Sequence, residues 1–247
     1  MIIRIFFLLF ILVGLNLHAF GAELTPTEIL QKADEARGNL EGVQWIVKIV
    51  SVENNDKQDR TLNVKSRGYD FFAAFTDPPK VKDQKILMVD HNMWFSKPGT
   101  KKPVPISSRQ KLVGGAAYGD IAATNYANDY APVPLPDETI NEEICYVYML
   151  KAISKKATYD QIKYWISKNR MVGVKSEFYT VSGKLFKSAQ FEYDNKIQIG
   201  ENPQPFISKM IIHDALIEAN ITTLDFAQNE LVKLPDSTFD LNLFTNR

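Results

Sequence analysis

The chain has 247 residues, 45% of them hydrophobic and 23% charged, with 29 basic and 29 acidic side chains. That is an ordinary globular balance, long enough to bury a large core, and it excludes a disordered or fibrous chain. Charge neutrality also argues against nucleic acid as a partner, which calls for a basic face.

The N-terminus reads MIIRIFFLLFILVGLNLHAFGAEL. Arg4 is a basic n-region, Ile5 to Leu15 an apolar run, and Ala19-Phe20-Gly21-Ala22 a small-residue cleavage region. This pattern predicts a secretory signal peptide over residues 1–21, the apolar run being short for a membrane span. Cleavage is expected after Gly21 or Ala22, and Gly21 is favoured because Ala19 then sits at the −3 position. Removing 1–21 takes Arg4 and no acid, leaving 28 basic and 29 acidic residues, a net charge of about −1. The only cysteine, Cys145, lies far from the cleavage site. No lipid anchor on a processed N-terminal cysteine is therefore expected, and no internal disulfide.

Residues 22–247 are expected to form one domain. ELTPTEILQKADEAR predicts an amphipathic helix over about 26–37, with Thr25 as N-cap, Pro26 in the first turn and Glu28 completing a capping box. From Gly42 the period changes to two. Trp45, Val47 and Ile49 share a face, as do Leu62 and Val64, and YDFFAAF continues as a strand until Asp77-Pro78-Pro79. KILMVDHNMWFSKPG predicts a hairpin turning near Asp90-His91-Asn92. ICYVYMLKA sets Ile144, Tyr146, Tyr148 and Leu150 on one face. Further strands follow through YDQIKYWIS, a hairpin at Ser182-Gly183, FISKMIIHD and ITTLDFAQNEL, and LPDSTFDLNLF could add one more. Ten or eleven successive strands without intervening long helices imply an antiparallel meander.

One stretch interrupts this pattern. Between about 99 and 139, Gly, Pro, Ala and Lys concentrate, and RQKLVGGAAYGDIAATNYANDY (109–130) reads as short and partly helical. Loops this long in a compact fold are usually functional or mobile. Its glycines match neither a dinucleotide fingerprint nor a phosphate loop, because no Gly-Lys-Ser/Thr follows. They are read as caps: Gly114 and Gly115 ending a helix over 107–113, and Asp120 starting another to about Tyr126.

Catalytic chemistry has little material. Past residue 21 only His91 and His213 remain, Cys145 sits mid-strand, and neither metal-ligand spacing nor a Gly-x-Ser-x-Gly elbow occurs. Asp90-His91 reads better as a turn than as a proton-transfer pair. No metal, cofactor or enzymatic activity is expected. The aromatic load is the stronger signal, since a wide sheet with few helices over it suits an apolar ligand.

In ILMVDHNMWFSKPGTKKPVPISSRQKLVGGAAYGDIAATNYANDY (86–130), and most specifically in MWFSKPGTKKPVPIS and RQKLVGGAAYGDIAATNY, the chain resembles the LolA-like superfamily of outer-membrane lipoprotein-sorting proteins, in a branch of largely uncharacterised periplasmic proteins. The resemblance covers nearly all of residues 22–247. It implies a mainly β fold, an unclosed antiparallel half-barrel of about eleven strands covered by a helical lid. It also implies a monomeric periplasmic carrier of a Gram-negative bacterium, moving acyl chains of lipoproteins or lipids between an inner-membrane transporter and an outer-membrane acceptor. An interaction subunit that docks on a membrane lipid transporter without carrying ligand is the alternative, suggested by the basic loop KPGTKKPVP (97–105). The expected ligand-facing set is Trp45, Val47, Ile49, Leu62, Val64, Phe71, Phe75, Met88, Trp94, Tyr146 and Tyr148. The expected lid is Leu112, Tyr118, Ile121 and Tyr126, hinged at Gly114 and Gly115. The resemblance implies that the classical lipoprotein carrier holds its lid closed with an arginine, which no motif locates here, and Arg109 is the candidate.

Overall fold

The computed structural model describes residues 24–122 and 124–244; the expected signal peptide lies outside them. Helix α1 (Pro26–Glu35) starts as the sequence predicts. The Glu28 amide donates to Thr25 Oγ1 (3.3 Å) and the Thr25 amide to Glu28 Oε2 (2.7 Å), so each end of the box satisfies an amide the first turn would leave open. Ile29, Leu30 and Ala33 turn inward.

The strands follow in chain order: β1 (Val43–Glu53), β2 (Asp56–Arg67), β3 (Asp70–Asp77), β4 (Lys85–Val89), β5 (Asn92–Ser96) and β6 (Val104–Ile106). A small ribbon of β7 (Lys111–Val113) and β8 (Ala116–Ala117) leads into two short helices, α2 (Tyr118–Ala122) and α3 (Tyr126–Asp129). Then come β9 (Tyr130–Ile140), β10 (Glu143–Ala152), β11 (Gln161–Ser167), β12 (Gly173–Tyr179), β13 (Leu185–Glu192), β14 (Asn195–Ile199), β15 (Asn202–Phe206), β16 (Lys209–Asp214) and β17 (Ile221–Leu231). Thirteen of them form one antiparallel sheet in the order β6-β5-β4-β3-β2-β1-β17-β16-β13-β12-β11-β10-β9; β14 and β15 pair separately. The last strand thus pairs with the first, and the two halves of the meander meet at β1–β17.

The sheet does not close. Its two ends, β6 and β9, carry Pro105 and Pro132, Pro134 and Pro136, which lack amide protons and confine these strands to edges. These are also the two strands that bring the sheet from the expected eleven to thirteen. One is three residues long, and the other hides its alternation under prolines.

Tight turns set the register. Asn54-Asn55, Asp90-His91 and Asn141-Glu142 all have positive φ at both residues, the two-residue hairpin geometry that matches strand twist. At Asp90-His91 this pairs Met88 with Met93 and Leu87 with Trp94.

The concave face buries one continuous core from α1 across the sheet to α3. A second cluster lies on the opposite face. Leu234, Phe239 and Phe244 pack there on Leu87, Phe72 and Trp94. The C-terminal LPDSTFDLNLF is accordingly not a strand. It forms a 3-10 turn (Asp236–Phe239) and helix α4 (Leu241–Phe244), and Arg67 lies over the Phe239 ring at 5.0 Å. Trp94 belongs to this outer cluster, which corrects its expected inward placement. Among the described residues no helix is long and apolar enough to cross a membrane.

Because Phe239 closes the outer cluster, Phe239→Ala is expected to lower stability by about 3 kcal/mol in urea denaturation. A tail resting loosely on the sheet would lose less than about 0.5 kcal/mol.

Candidate functional site

Residues 107–130 cross the open face as a strap. The expected helix over 107–113 is replaced by the β7–β8 ribbon, and Gly114-Gly115 forms its turn. The sequence signal was genuine, since two adjacent glycines must serve a backbone need, but the need is close approach and not capping. Gly114 has φ +55°, and a Cβ there would sit 1.9 Å from Ser51 Oγ and 2.3 Å from Thr222 Oγ1. The Gly115 amide donates to Thr222 Oγ1 at 2.8 Å. Gly114 is pressed onto Ser51 of β1 and Thr222 of β17, which pins the turn to the sheet, while Gly115 packs on Ile212 of β16 and Thr222.

Polar contacts fasten the strap along its length. Both Arg109 terminal nitrogens donate to Asp160 Oδ1 (3.0 Å), and its Nε donates to the Ala157 carbonyl (3.0 Å). Lys111 pairs with Glu53 at 2.6 Å. The deepest fastening is Asp120. One oxygen accepts from Tyr159 Oη (2.6 Å); the other accepts from Lys187 Nζ (2.6 Å) and the Ala117 amide (2.7 Å). The last bond makes Asp120 the N3 residue that reaches back to the start of α2, inside the helix and not at its cap. Lys187 also donates to the Gly115 carbonyl (3.2 Å) and lies over the Tyr159 and Phe178 rings. Burial pulls its ammonium below the usual lysine value, and the Asp120 charge opposes that pull. Burial pushes the Tyr159 hydroxyl well up, with the Asp120 charge adding to it.

At its far end the strap meets α1. The Ala127 amide donates to Asp34 Oδ2 at 2.8 Å, and burial holds the Asp34 carboxyl well above the usual carboxylate range. Arg37, 3% exposed, lies over the rings of Tyr126 (4.7 Å) and Phe191 (4.8 Å). Its Nε and Nη1 find no acceptor in the protein. His91 Nε2 lies 2.7 Å from Asp129 Oδ1, with the Tyr69 ring against the imidazole at 4.3 Å. His91 is thus at the turn the sequence predicts, but it ties that turn to the end of the strap.

Two arginines therefore make contacts along the strap, Arg109 at its entry and Arg37 beneath α3. Sequence reading missed Arg37. An arginine in the last turn of a helix reads as a partner for the C-terminal dipole, and nothing local tells that the chain will bury it.

The expected ligand-facing residues are brought together, except Trp94. Trp45, Val47, Ile49, Leu62, Val64, Phe71, Phe75, Met88 and Tyr148 all lie in the concave core, with Tyr146 packed at its side. Of the lid residues, Ile121 and Tyr126 are buried in that same core, and Leu112 and Tyr118 pack against it. With the strap in place, these side chains are buried or packed against the core. Open space lies beside it, in a cleft of about 730 Å³ between the ribbon and the β12–β13 hairpin. Ala116, Ala117, Tyr159, Val181 and Phe186 give the cleft apolar walls; Lys187 is at its floor and Arg109 and Lys111 are at its rim. The size is that of a small-molecule site. Among the described residues no group of three His, Cys, Asp or Glu is placed to hold a metal.

Two substitutions separate pin from hinge. Gly114→Ala is expected to destabilise by about 2–3 kcal/mol, from its left-handed backbone and the contacts with Ser51 and Thr222. Gly115→Ala, whose Cβ would meet Ile212 Cγ2 at 3.1 Å, should lose less than about 1 kcal/mol. Equal denaturation midpoints for the two variants would contradict the pin. At the floor, Asp120→Asn leaves a buried lysine without its counter-charge and should lose about 3–5 kcal/mol. Adding Lys187→Met should restore most of that loss, read as a coupling in a double-mutant cycle.

A family profile described as an uncharacterized protein matches residues 68–246. No curated protein matches. Among solved structures, a LolA superfamily protein from Nitrosomonas europaea, NE2245, is 32% identical with a TM-score of 0.79, over 88% of this chain and 98% of that one. A candidate outer membrane lipoprotein-sorting protein domain from Vibrio parahaemolyticus shares 20% identity with a TM-score of 0.75, over 88% and 97%. A DUF1329 family protein from Desulfovibrio piger shares 16% with a TM-score of 0.74, over 89% and 97%; these last two show the fold. An unclosed antiparallel sheet crossed by a strap, matched end to end at this identity, places the chain in the LolA superfamily.

Proposed function

We propose that the protein is a non-enzymatic periplasmic carrier that shields an acyl chain of a lipid or lipoprotein and moves it toward the outer membrane. The observation that carries this reading is the apolar-walled cleft of about 730 Å³ lying against a fastened strap. The sequence adds the export pattern over residues 1–21. The fold adds a relative sharing 32% identity in the same superfamily and a more distant neighbour whose description names lipoprotein sorting.

The chemistry is burial. Each methylene removed from water contributes about 0.8 kcal/mol. Phe186, Tyr159 and Val181 supply the surface that replaces water, and the rim cations Arg109 and Lys111 stand where an acidic head would emerge. The concave set from Trp45 to Tyr148 becomes available only as the strap lifts, and the two arginines and Asp120 set how readily it does so. The exposed lysines of 97–102, Lys97, Lys101 and Lys102, offer a basic face to a transporter on the inner membrane.

Purified protein extracted with organic solvent is expected to release lipid detectable by mass spectrometry. Delipidated protein should bind saturated fatty acids with affinity rising about three- to fourfold per added methylene until the cleft is full. Phe186→Asp should weaken binding at least about tenfold with the circular dichroism spectrum unchanged. Affinity independent of chain length, in protein that also releases no lipid, would sink the carrier reading.

A further inference from the structure

The cleft opens at one end of the sheet, and that end carries an unusual set of side chains. The registers Val52↔Ile221, His213↔Ile221, Lys187↔Asp214, Tyr179↔Leu185, Gln161↔Tyr179 and Lys151↔Gln161 bring the β1–β2 turn and three further connections to the same side. The three are 153–160, 180–184 and 215–220. Each raises apolar side chains into solvent: Ile153 is 63% exposed, Val181 75%, Leu216 71% and Ile217 45%.

These tips are ordered. Asp214 Oδ1 accepts from the amides of Leu216 (2.7 Å) and Ile217 (2.9 Å). The Ile153 amide donates to the Asp129 carbonyl (3.0 Å), and the Thr180 amide to the Lys184 carbonyl (3.0 Å). These backbone amides are paired, within the loop or to the end of α3, and the apolar side chains are held outward. Single exposed aliphatics are ordinary on a protein surface. Three adjacent tips, all around one cleft mouth, are not.

Charge selects the partner. Lys151, Lys155, Lys156 and Lys184 are exposed beside these tips. The nearby acids are largely engaged: Asp160 with Arg109, and Asp214 with its own loop. Glu218, the single acid of 215–220, and Asp56 at the β1–β2 turn face water. Aliphatic tips ringed by lysine match the chemistry of a bilayer with anionic headgroups, where apolar groups enter the acyl boundary and ammonium groups meet phosphate.

We infer that this end of the sheet docks on an anionic lipid surface through Ile153, Val181 and Leu216, with Lys155, Lys156 and Lys184 against the phosphates. Docking sets the cleft mouth, of which Val181 and Ser182 are part, against the membrane. A chain can then pass between bilayer and cleft without crossing open water.

The test is co-sedimentation of the full chain with phosphatidylcholine vesicles, with and without about one-third phosphatidylglycerol, at low and high salt. Wild type should bind the phosphatidylglycerol vesicles and be released by salt. Ile153→Asp combined with Leu216→Asp, two residues outside the cleft lining, should weaken partitioning at least about tenfold, and Lys155→Glu with Lys156→Glu to a similar degree. Fatty-acid binding in vesicle-free solution, read separately on the same variants, should be unchanged, so that loss of docking and failure of the carrier reading give different results. The inference is overturned by wild type that stays in the supernatant with phosphatidylglycerol vesicles, or by variants that sediment as wild type does. A solution dimer that Ile153→Asp with Leu216→Asp dissociates, with no vesicle binding, would instead assign the tips to a second copy of the chain.

Discussion

A sheet that stops short of closure must hide one face by other means, and most of this molecule answers that constraint. Thirteen strands curl around Trp45, Ile49, Phe71, Phe75 and Met88, but proline-bearing strands at both ends prevent the edges from meeting or recruiting another strand. Helix α1 covers part of the opening. The strap covers more, and it joins the same core through Val113, Ile121 and Tyr126. Concave shape, strap and cleft all follow from that unclosed edge.

How the strap is held matters for the proposed carrier role. Its underside contributes apolar burial, but its most specific contacts are charged: Lys187 with Asp120, and Arg109 with Asp160. A buried ion pair fixes geometry strongly, yet its attraction is largely offset by the desolvation of both ions. Lifting the strap returns Lys187 and Asp120 to water, where each is well solvated. Latches of this type therefore define one closed position without making opening prohibitive, which an equal area of interlocked apolar surface would do. Under α3 another buried cation, Arg37, lies against the ring faces of Tyr126 and Phe191.

Local patterns carried much of the fold into view. The Thr25–Glu28 box gave the start of α1 within a residue, and period-two alternation marked the central strands, because one buried face imposes it. What the sequence hid were features set by partners far along the chain. Trp94 is a case of parity: a two-residue turn at Asp90-His91 opposes it to Leu87, whereas a three-residue turn would have carried it to the other face. Gly114 and Gly115 signalled a backbone constraint, but only the approach of Ser51 and Thr222 shows which one. The prolines of β9 masked a strand, and the burial of Arg37 depends on Tyr126 and Phe191. For the candidate site, the sequence indicated the segment and its arginine Arg109, but not the cleft, whose walls come from four separated stretches.

The position of that cleft bears on how the proposed carrier could exchange its load. Had the free space been at the centre of the concave face, a ligand would reach it only after the strap had moved, and both events would have to coincide at a membrane. Here the open space is at the end of the sheet, bordered by hairpin tips whose backbones are internally hydrogen-bonded. The tips can meet a surface without changing shape, so recognition carries little ordering penalty. The charged latches lie directly behind them, with Lys187 at the cleft floor. A chain entering along Phe186 and Tyr159 therefore reaches the fastening of the strap before it reaches the core behind it. In the proposed carrier, entry at the rim and release of the strap would be successive steps on one path, the second occurring only once a chain is already out of water.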